Sequence, residues 1–436
     1  MEEQKNTEIA TGYKMTELGP LPQEWEVVRL GDLMKITSGG TPSRKIKEYY
    51  NGNNLWVKSG ELEDNIILDT EEKITDDAIK NSSAKIFPKD TVLIAMYGAT
   101  VGKTAILKKE ATTNQAICAI LPNFEIFVPE FIRYYFVVAR VELLKQRYGG
   151  AQPNISQTII KNTLVPKPPL PEQRKIAAIL STVQKAIETE NKLIERTREL
   201  KKAMMHKLFT EGTRGEKQKM TEIGPIPESW EVMRLGDSNM LTSTQYGLSL
   251  KGSEEGKYPI LRMNNLTNGY ITPSDLQFVI IDETTFYKFR LDKGDILFNR
   301  TNSLELVGKA SIFNLDSEFV FASYLIRLKT NPNLLNPYFL NFYINWEITQ
   351  SRLKGLASRG VSQANISATR LKSFQIPKPS IFEQQAIADI LSNIDQKIEH
   401  HTTKKQKLEE LFRTLLHELM TAKIRVNEVE LKEVIK

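Results

Sequence analysis

The chain contains two copies of one sequence frame. Residues 15–32 read MTELGPLPQEWEVVRLGD and residues 220–237 read MTEIGPIPESWEVMRLGD, with 13 of 18 positions identical. Residues 154–188 match residues 365–399 at 17 of 35 positions, whereas the stretches between these matches diverge. A repeat of this length predicts two similar domains within one chain. A shared frame around two different bodies indicates one kind of task directed at two different targets.

Length and charge narrow the class of protein. A chain of 436 residues is long enough for two domains, and its formal net charge of +6 permits a polyanionic partner. The single cysteine, Cys118, lies in the apolar run AICAIL and is expected to be buried and reduced. Because a single cysteine cannot form an internal disulfide, we expect a reducing, cytoplasmic compartment. The sequence lacks an apolar run of about 18 residues, so we expect no membrane partner.

Each copy of the frame consists of an entry segment, a variable body and a long helix. Short apolar runs such as Thr91–Tyr97 and Asp295–Phe298 predict strands, and Phe131–Gln146 and Tyr338–Lys354 predict helices. Gly212 is the expected stop of the first long helix. The fold class is therefore α+β, with two mixed α/β domains in tandem repeat. The predicted segments are an N-terminal extension (1–14), a first domain (15–170), a central helix (171–210), a linker (211–219), a second domain (220–381), a C-terminal helix (382–423) and a tail (424–436).

The two long helices share a seam of positions spaced alternately three and four residues apart, which predicts a coiled coil. Two separate amphipathic helices, each on its own domain, are the alternative. Residues 210–219 can span at most about 35 Å, so we expect an antiparallel pair with the domains at opposite ends. This alignment places Glu190 opposite Lys405, either as a register-setting ion pair or as two solvated charges. The seam comprises Ile176, Leu180, Val183, Ile187 and Glu190 in the first helix, and Ile387, Leu391, Ile394, Ile398, Lys405, Leu408, Phe412 and Leu415 in the second.

The motifs that suggest catalysis are incomplete. The run Gly98–Thr104 resembles a phosphate-binding loop but has three residues between its glycines, where four are needed. Val-Gly-Lys recurs at residues 307–309, so a repeated strand turn explains both. No complete metal-ligand or nucleophile set accompanies the four histidines. The lack of a complete catalytic set favours a binding protein over an enzyme.

Side chains of the types that read base edges or contact phosphates occur in both bodies. Taken singly, each cluster also fits a polar surface loop. The strongest is Asn299–Ser303, which directly follows a predicted strand. The candidate DNA contacts are Arg44, Lys45, Lys58, Asn114 and Gln115 in the first body, and Arg262, Asn264, Asn265, Arg300 and Asn302 in the second.

The ordered pair of motifs resembles the specificity subunit of type I restriction–modification enzymes. Both copies contain a Gly-Pro-x-Pro-x-x-Trp entry, an Asn-Ile-Ser stretch, a Pro-Lys-Pro stretch and a Glu-Gln helix start. The resemblance implies two target recognition domains that each read half of a bipartite double-stranded DNA site. It also implies helices that space these domains and bind methyltransferase subunits, two being expected, within a complex that includes restriction/translocase subunits. Catalytic residues, S-adenosylmethionine, ATP and magnesium are then expected on the partner subunits and not on this chain. The alternatives are a fused restriction and methylation enzyme and a protein-only coiled-coil scaffold.

Overall fold

The computed structural model describes residues 11–145, 154–237, 239–359 and 363–426. The chain divides into two compact units, which we call unit 1 (Met1–Glu190 with Lys404–Lys436) and unit 2 (Asn191–Thr403). Each unit contains one half of each long helix. The segments predicted from sequence place the helices outside the domains, whereas here each unit packs around halves of both.

Unit 1 combines short strands with a long closing helix. Its strands are β1 (Tyr13–Thr16), β2 (Gly19–Pro22), β3 (Glu26–Arg29), β4 (Ile36–Ser38), β5 (Asn54–Val57), β6 (Asn65–Ile67), β7 (Glu72–Ile74), β8 (Ile86–Phe87), β9 (Val92–Ala95), β10 (Thr104–Leu107), β11 (Ala111–Thr113), β12 (Ile117–Ile120) and β13 (Leu164–Lys167). Its helices are α1 (Leu30–Leu33), α2 (Asp76–Lys80), α3 (Pro129–Lys145), α4 (Gln157–Asn162) and the first half of α5 (Leu170–Glu211).

Unit 2 follows the same plan. Its strands are β14 (Gln218–Thr221), β15 (Gly224–Pro227), β16 (Glu231–Arg234), β17 (Leu241–Tyr246), β18 (Tyr258–Leu261), β19 (Leu266–Thr267), β20 (Tyr270–Ile271), β21 (Gln277–Val279), β22 (Ile296–Asn299), β23 (Thr301–Asn302), β24 (Ala310–Ile312), β25 (Val320–Phe321), β26 (Leu325–Thr330), β27 (Ser358–Arg359), β28 (Ala364–Asn365) and β29 (Gln375–Lys378). Its helices are α6 (Glu283–Phe289), α7 (Pro337–Asn345), α8 (Glu347–Gly355), α9 (Ala368–Lys372) and α10 (Ile381–Met420), which continues into unit 1.

The divergent bodies share one sheet topology. The main sheet has the order β4-β12-β9-β10-β6 in unit 1 and β17-β26-β22-β24-β20-β19 in unit 2. A second sheet has the order β7-β5-β11-β8 in unit 1 and β21-β18-β25 in unit 2, with β5–β11 and β18–β25 parallel. The central strands β9, β12 and β22 are buried along their whole length, and all their residues except Asn299 are apolar, because both faces are covered. Cys118 lies in β12 and is fully buried, as predicted.

The predicted elements inside the bodies are mostly confirmed. The run Thr91–Tyr97 contains β9, and the run Asp295–Phe298 overlaps β22 except at its last residue, Asn299. The predicted helix Phe131–Gln146 corresponds to α3, apart from residue 146, which lies outside the described ranges. The single helix predicted over Tyr338–Lys354 is wrong. Trp346 has extended backbone dihedrals (φ −65°, ψ 136°) and separates α7 from α8. Its ring packs against Phe209, which lies on α5, so tertiary packing overrides the helical periodicity.

In each unit the two long helices pack antiparallel. In unit 1 the start of α5 clusters with the end of α10, through contacts that include Ile176, Leu180 and Leu419. In unit 2 the Nζ atom of Lys201 lies 2.6 Å from a carboxylate oxygen of Asp395, so later α5 residues meet earlier α10 residues. The stop at Gly212 is confirmed, since α5 ends at Glu211 and Gly212 has φ +67°, a value that favours glycine. None of the helices in the described ranges is long and apolar enough to cross a membrane.

The predicted ion pair in the seam needs a correction of one residue. Glu190 is buried, with 3% of its surface exposed, and its carboxylate lies 2.6 Å from Nζ of Lys404. Lys405 pairs with Glu409, one turn along its own helix. The heptad pattern predicts which faces of the helices meet, but it does not resolve neighbouring lysines whose long side chains reach the same acid.

Candidate nucleic-acid interface

In unit 2, four loops meet at one edge of the sheets. The backbone N–H of Leu248 donates to Phe321, that of Ala322 donates to Leu261, and that of Arg300 donates to Tyr324. We call residues 246–248, 262–265, 300–308 and 322–324 the loop face of unit 2. Each loop directly follows or precedes a strand of these sheets, so its side chains are presented from a rigid support.

Unit 1 has the same arrangement. The N–H of Gly40 donates to Thr113, that of Asn114 donates to Val57, and that of Met96 donates to Ala116. Residues 38–41, 58–61, 96–102 and 114–116 form the loop face of unit 1. The recurrence of one hydrogen-bond pattern in bodies of different sequence shows that the two loop faces are equivalent sites.

The repeated Asn-Ile-Ser motif attaches this face to the shared frame. The N–H groups of Ile155 and Ile366 donate to the carbonyls of Met96 and Arg300, respectively. The following serines, Ser156 and Ser367, cap the next short helix in each unit. The motif is therefore structural, and it holds residues 96 and 300 at matching positions.

The glycine-rich stretches are strand turns, as predicted. Gly102 donates its N–H to the carbonyl of Ala95, and Gly308 donates to that of Asn299. Their φ values of +78° and +90° suit glycine and close the β9–β10 and β22–β24 connections. No set of three or more histidine, cysteine, aspartate or glutamate side chains converges as metal ligands would within the described ranges.

Beside the loop face of unit 1, the predicted cation Arg44 and the loop-face cation Lys58 meet at one acid, Glu72. The Nη1 atom of Arg44 lies 2.5 Å from Glu72, and Nζ of Lys58 lies 3.2 Å from the same carboxylate. Arg44 also stacks over the rings of Tyr50 and Trp56. The hydrogen bond from Arg44 holds the pKa of Glu72 below its usual range, so this acid is ionised at neutral pH.

The remaining candidates of unit 1 differ in how available they are. Lys45 is exposed, and Gln115 is exposed with its side chain hydrogen-bonded to Thr41. The side-chain oxygen of Asn114 accepts the N–H of Ala116 at 3.2 Å and so shapes the turn that presents Gln115. Lys45 and Gln115 stay predicted contacts, whereas Asn114 has a local structural task.

In unit 2, Arg262 and Asn264 converge on one acid. The Nη2 atom of Arg262 lies 3.1 Å from Oδ2 of Asp275, and the amide nitrogen of Asn264 lies 3.3 Å from the same oxygen. Asn265 is withdrawn from the candidate contacts. It is fully buried, and its side chain bonds only to backbone groups among the described residues, including the N–H of Arg262 at 2.9 Å.

Arg300 occupies the centre of the loop face of unit 2. Its Nη1 atom donates to the carbonyl of Ser323 at 3.2 Å, and its guanidinium lies 4.8 Å from the ring centre of Tyr246. Tyr246 and Tyr324 are exposed beside it, which sequence reasoning missed. The side-chain amide of Asn302 lies 3.2 Å from the sulfur of Met263 and joins the second loop to the third. A guanidinium held over the exposed ring of Tyr246 suits contact with a base edge.

A constant offset of 204 residues relates the key positions of the two faces. It pairs Lys58 with Arg262, Glu61 with Asn265, and Glu71 with Asp275. Glu61 and Asn265 both accept the N–H of the preceding cation, at 2.9 Å in each unit, which explains why Asn265 is structural. Few residues are identical between the bodies, so only charge and hydrogen-bonding type at this offset would have signalled the match in sequence.

Comparison with known families agrees with the repeat. A family model described as the type I restriction modification DNA specificity domain matches residues 22–197 and 227–410. These two matches contain both loop faces and most of both long helices. The repeat seen in the sequence therefore corresponds to two copies of one family domain.

Individual relatives cover nearly the whole chain. The specificity subunit of the type I restriction enzyme MjaVIII from Methanocaldococcus jannaschii is 30% identical over 416 residues, which is 94% of this chain and 95% of the relative. The EcoKI specificity subunit of Escherichia coli is 23% identical and covers 87% of this chain and 83% of its own length. A type I S subunit from M. genitalium has a similar fold, with a TM-score of 0.60 at 18% identity, covering 91% of this chain and 96% of that structure.

Proposed function

Since this chain belongs to the type I restriction–modification DNA specificity family, we propose that each of its two units reads one part of a split DNA site. The chain is a non-catalytic recognition subunit, as its relatives are named specificity subunits. The observation that carries the proposal is the loop face, which occurs in both units with a cation at the end of the strand β5 or β18.

The chemistry of the two faces supports recognition of two different sequences. Guanidinium, ammonium and amide groups are donors that read purine edges in the major groove. Unit 2 presents Arg262, Asn264 and Arg300, whereas unit 1 presents Arg44, Lys58 and Gln115. Because the two sets differ, the DNA site is asymmetric. Phosphate contacts from cations such as Lys45 supply affinity, and base contacts supply specificity.

The assembly follows from the family. Specificity subunits work with other subunits and with DNA, and we propose two methyltransferase subunits and restriction/translocase subunits as the partners of this chain. S-adenosylmethionine, ATP and magnesium then belong to those subunits. The complex acts on DNA in the cytoplasm.

Exchange of one body tests this function. In a host that carries the chain and its methyltransferase, residues 238–355 are replaced by the equivalent body of a relative that reads a different sequence. Methylome sequencing should then show a change in one half of the recognised site and an unchanged other half. The reciprocal exchange of the first body is the control and should change the other half only. If either exchange altered both halves, the model of two independent readers would be wrong.

A further inference from the structure

In both units, a carboxylate pairs with the cation that directly follows the strand β5 or β18. The Nζ atom of Lys58 lies 2.6 Å from Glu71, and Nη2 of Arg262 lies 3.1 Å from the carboxylate of Asp275 and 2.6 Å from its carbonyl oxygen. The spacing from cation to acid is 13 residues in each unit. We call Lys58 and Arg262 the strand-end cations, and Glu71 and Asp275 the covering carboxylates.

The acids lie on the solvent side of these pairs. The side chains of Lys58 and Arg262 are 29% and 26% exposed, whereas those of Glu71 and Asp275 are 70% and 80% exposed. A polyanion approaching either loop face therefore meets a carboxylate before it meets the cation. A protein surface built for phosphate contact alone gains nothing from this arrangement, because the acid repels the phosphate.

Both strand-end cations retain N–H groups that a neutral base edge can accept as hydrogen bonds. Within the described residues, both hydrogen bonds donated by the Arg262 guanidinium start from Nη2, so Nη1 remains available. The Lys58 ammonium has three protons, and its carboxylate partners are Glu71 and Glu72. A base edge carries no net charge, so it can accept a remaining N–H while the ion pair stays intact.

We propose that Glu71 and Asp275 are specificity-determining residues that make the strand-end cations readers of base edges and prevent their use as general phosphate anchors. This inference rests on the proposed function of the loop faces. Its physical basis is that phosphate binding requires the ion pair to break or the carboxylate to lie beside a phosphate, whereas base contact requires neither. Discrimination then comes from weakening the wrong complex as well as strengthening the right one.

The test compares Asp275→Asn with the wild-type full-length chain. Asparagine keeps the shape and tolerates the φ of +49° at this position, so the fold should be retained. Binding is measured by fluorescence anisotropy on two duplexes of equal length. One carries the recognised site identified by methylome sequencing, and the other lacks it. The matched control is Asp316→Asn, which removes the same charge from an exposed pair with Lys293, beside the opposite end of β22 from Arg300.

The expected result is a selective gain in affinity for the duplex that lacks the recognised site. Asp275→Asn should bind the site-free duplex roughly two- to fivefold more tightly, as expected for loss of one exposed ion pair. The salt dependence of that binding should steepen by up to about one unit of slope. Affinity for the recognised site should stay within about twofold, so the specificity ratio falls. In an Arg262→Gln background the same substitution should match the Asp316→Asn control.

Two outcomes would overturn the proposal, and a third, distinguishable from both, would overturn the proposed function. An unchanged specificity ratio in Asp275→Asn, equal to that of the control, would show that the carboxylate has no part in discrimination. Loss of affinity for the recognised site alone would show that Asp275 itself reads a base. Failure of the wild-type chain to bind either duplex, with its methyltransferase present, would instead overturn the proposed function on which this inference rests.

Discussion

Each unit contains a buried hydrogen bond from a tryptophan to a glutamate, but a different segment of the chain covers it in each unit. In unit 1 the indole N–H of Trp25 donates to Glu172 at 2.9 Å, and in unit 2 that of Trp230 donates to Glu383 at 3.1 Å. In unit 2 the residues that directly follow α5 complete the site, with the N–H of Thr213 2.9 Å from Glu383. In unit 1 the completing residue is Arg425, which comes from the far end of the chain and lies 2.8 Å from Glu172.

This difference follows from chain connectivity. After α5 the chain runs on into β14 of unit 2, so covalent continuity keeps Thr213 near its acid. The segment after α10 has no such link to the start of unit 1. It is held by the Arg425 pair, by burial of Ala422 and Val426, and by a hydrogen bond from Tyr13 to the carbonyl of Ala422. A closure without a covalent link therefore relies on a charged, mostly buried contact.

A second difference concerns the space beside the long helices. In unit 1 the buried Arg133 donates to the carbonyl of Asp64 at 2.8 Å and to the side chain of Gln184 at 2.7 Å. The equivalent residue of unit 2 is the smaller Asn341, which donates to Gly269 at 2.9 Å. Unit 2 has a groove of about 1170 Å³ lined by Asn341 and residues of α5. The smaller side chain of unit 2 therefore lines an open groove, whereas the larger one of unit 1 bonds to the Asp64 carbonyl and to Gln184 on α5.

The largest effect is expected from removing the segment after α10, which covers Glu172 in unit 1. A chain that ends at Met420 loses Ala422, Arg425 and Val426. Loss of the buried contacts and exposure of Glu172 should destabilise unit 1 by on the order of 5 kcal/mol. Hydrogen exchange should show lower protection in residues 11–190 and unchanged protection in unit 2. A chain that ends at Val426 is the matched control, and equal loss of protection in both units would contradict the comparison.

Single substitutions test whether the arginine–glutamate pair matters more in unit 1, where the covering segment is not continuous with the strands of its unit. Arg425→Ala should destabilise unit 1 by about 3 kcal/mol because it leaves the buried Glu172 without its cation. Arg214→Ala is the counterpart in unit 2, where the guanidinium is exposed and 3.9 Å from Glu383, and should cost at most about 1 kcal/mol. Unfolding in urea, followed with hydrogen exchange to assign the unit, measures both. Equal losses would show that covalent continuity does not lessen the need for the charge.

A smaller effect is expected when Arg133 of unit 1 is replaced by asparagine, the residue at the equivalent position of unit 2. Arg133→Asn removes donors from the Asp64 carbonyl and the Gln184 side chain, and should destabilise unit 1 by about 2 kcal/mol. Asn341→Ala provides the comparison in unit 2. The expected loss is about 1 kcal/mol, from the hydrogen bond that Asn341 donates to Gly269 and the longer one, at 3.3 Å, that it accepts from Asn345. Local stability from hydrogen exchange is again the measurement. A variant as stable as the wild type would show that Arg133 does not support the packing of unit 1.

Several features of the fold follow from local sequence alone. The repeat predicts two units of one kind, and the three–four spacing predicts helices that pair along Ile176, Leu180 and Leu391. Turns at Gly102 and Gly212 are equally local, because a positive φ is required there whatever the surroundings. By contrast, the break at Trp346 depends on the ring of Phe209 from α5, and no local pattern contains that information.

The candidate site also has some features that local sequence predicts and others that depend on tertiary contacts. Side-chain chemistry points to Arg44, Lys58, Arg262 and Arg300 as candidates because donors of these types match the acceptors on base edges. The sequence by itself determined the family, the two-unit plan and this set of cations. Only the tertiary structure decided that Asn265 is buried, that Lys404 pairs with Glu190, and that Glu71 and Asp275 cover the strand-end cations. The reason is physical: periodicity and composition act over neighbouring residues, whereas burial and ion pairing depend on what distant strands bring within a few ångströms.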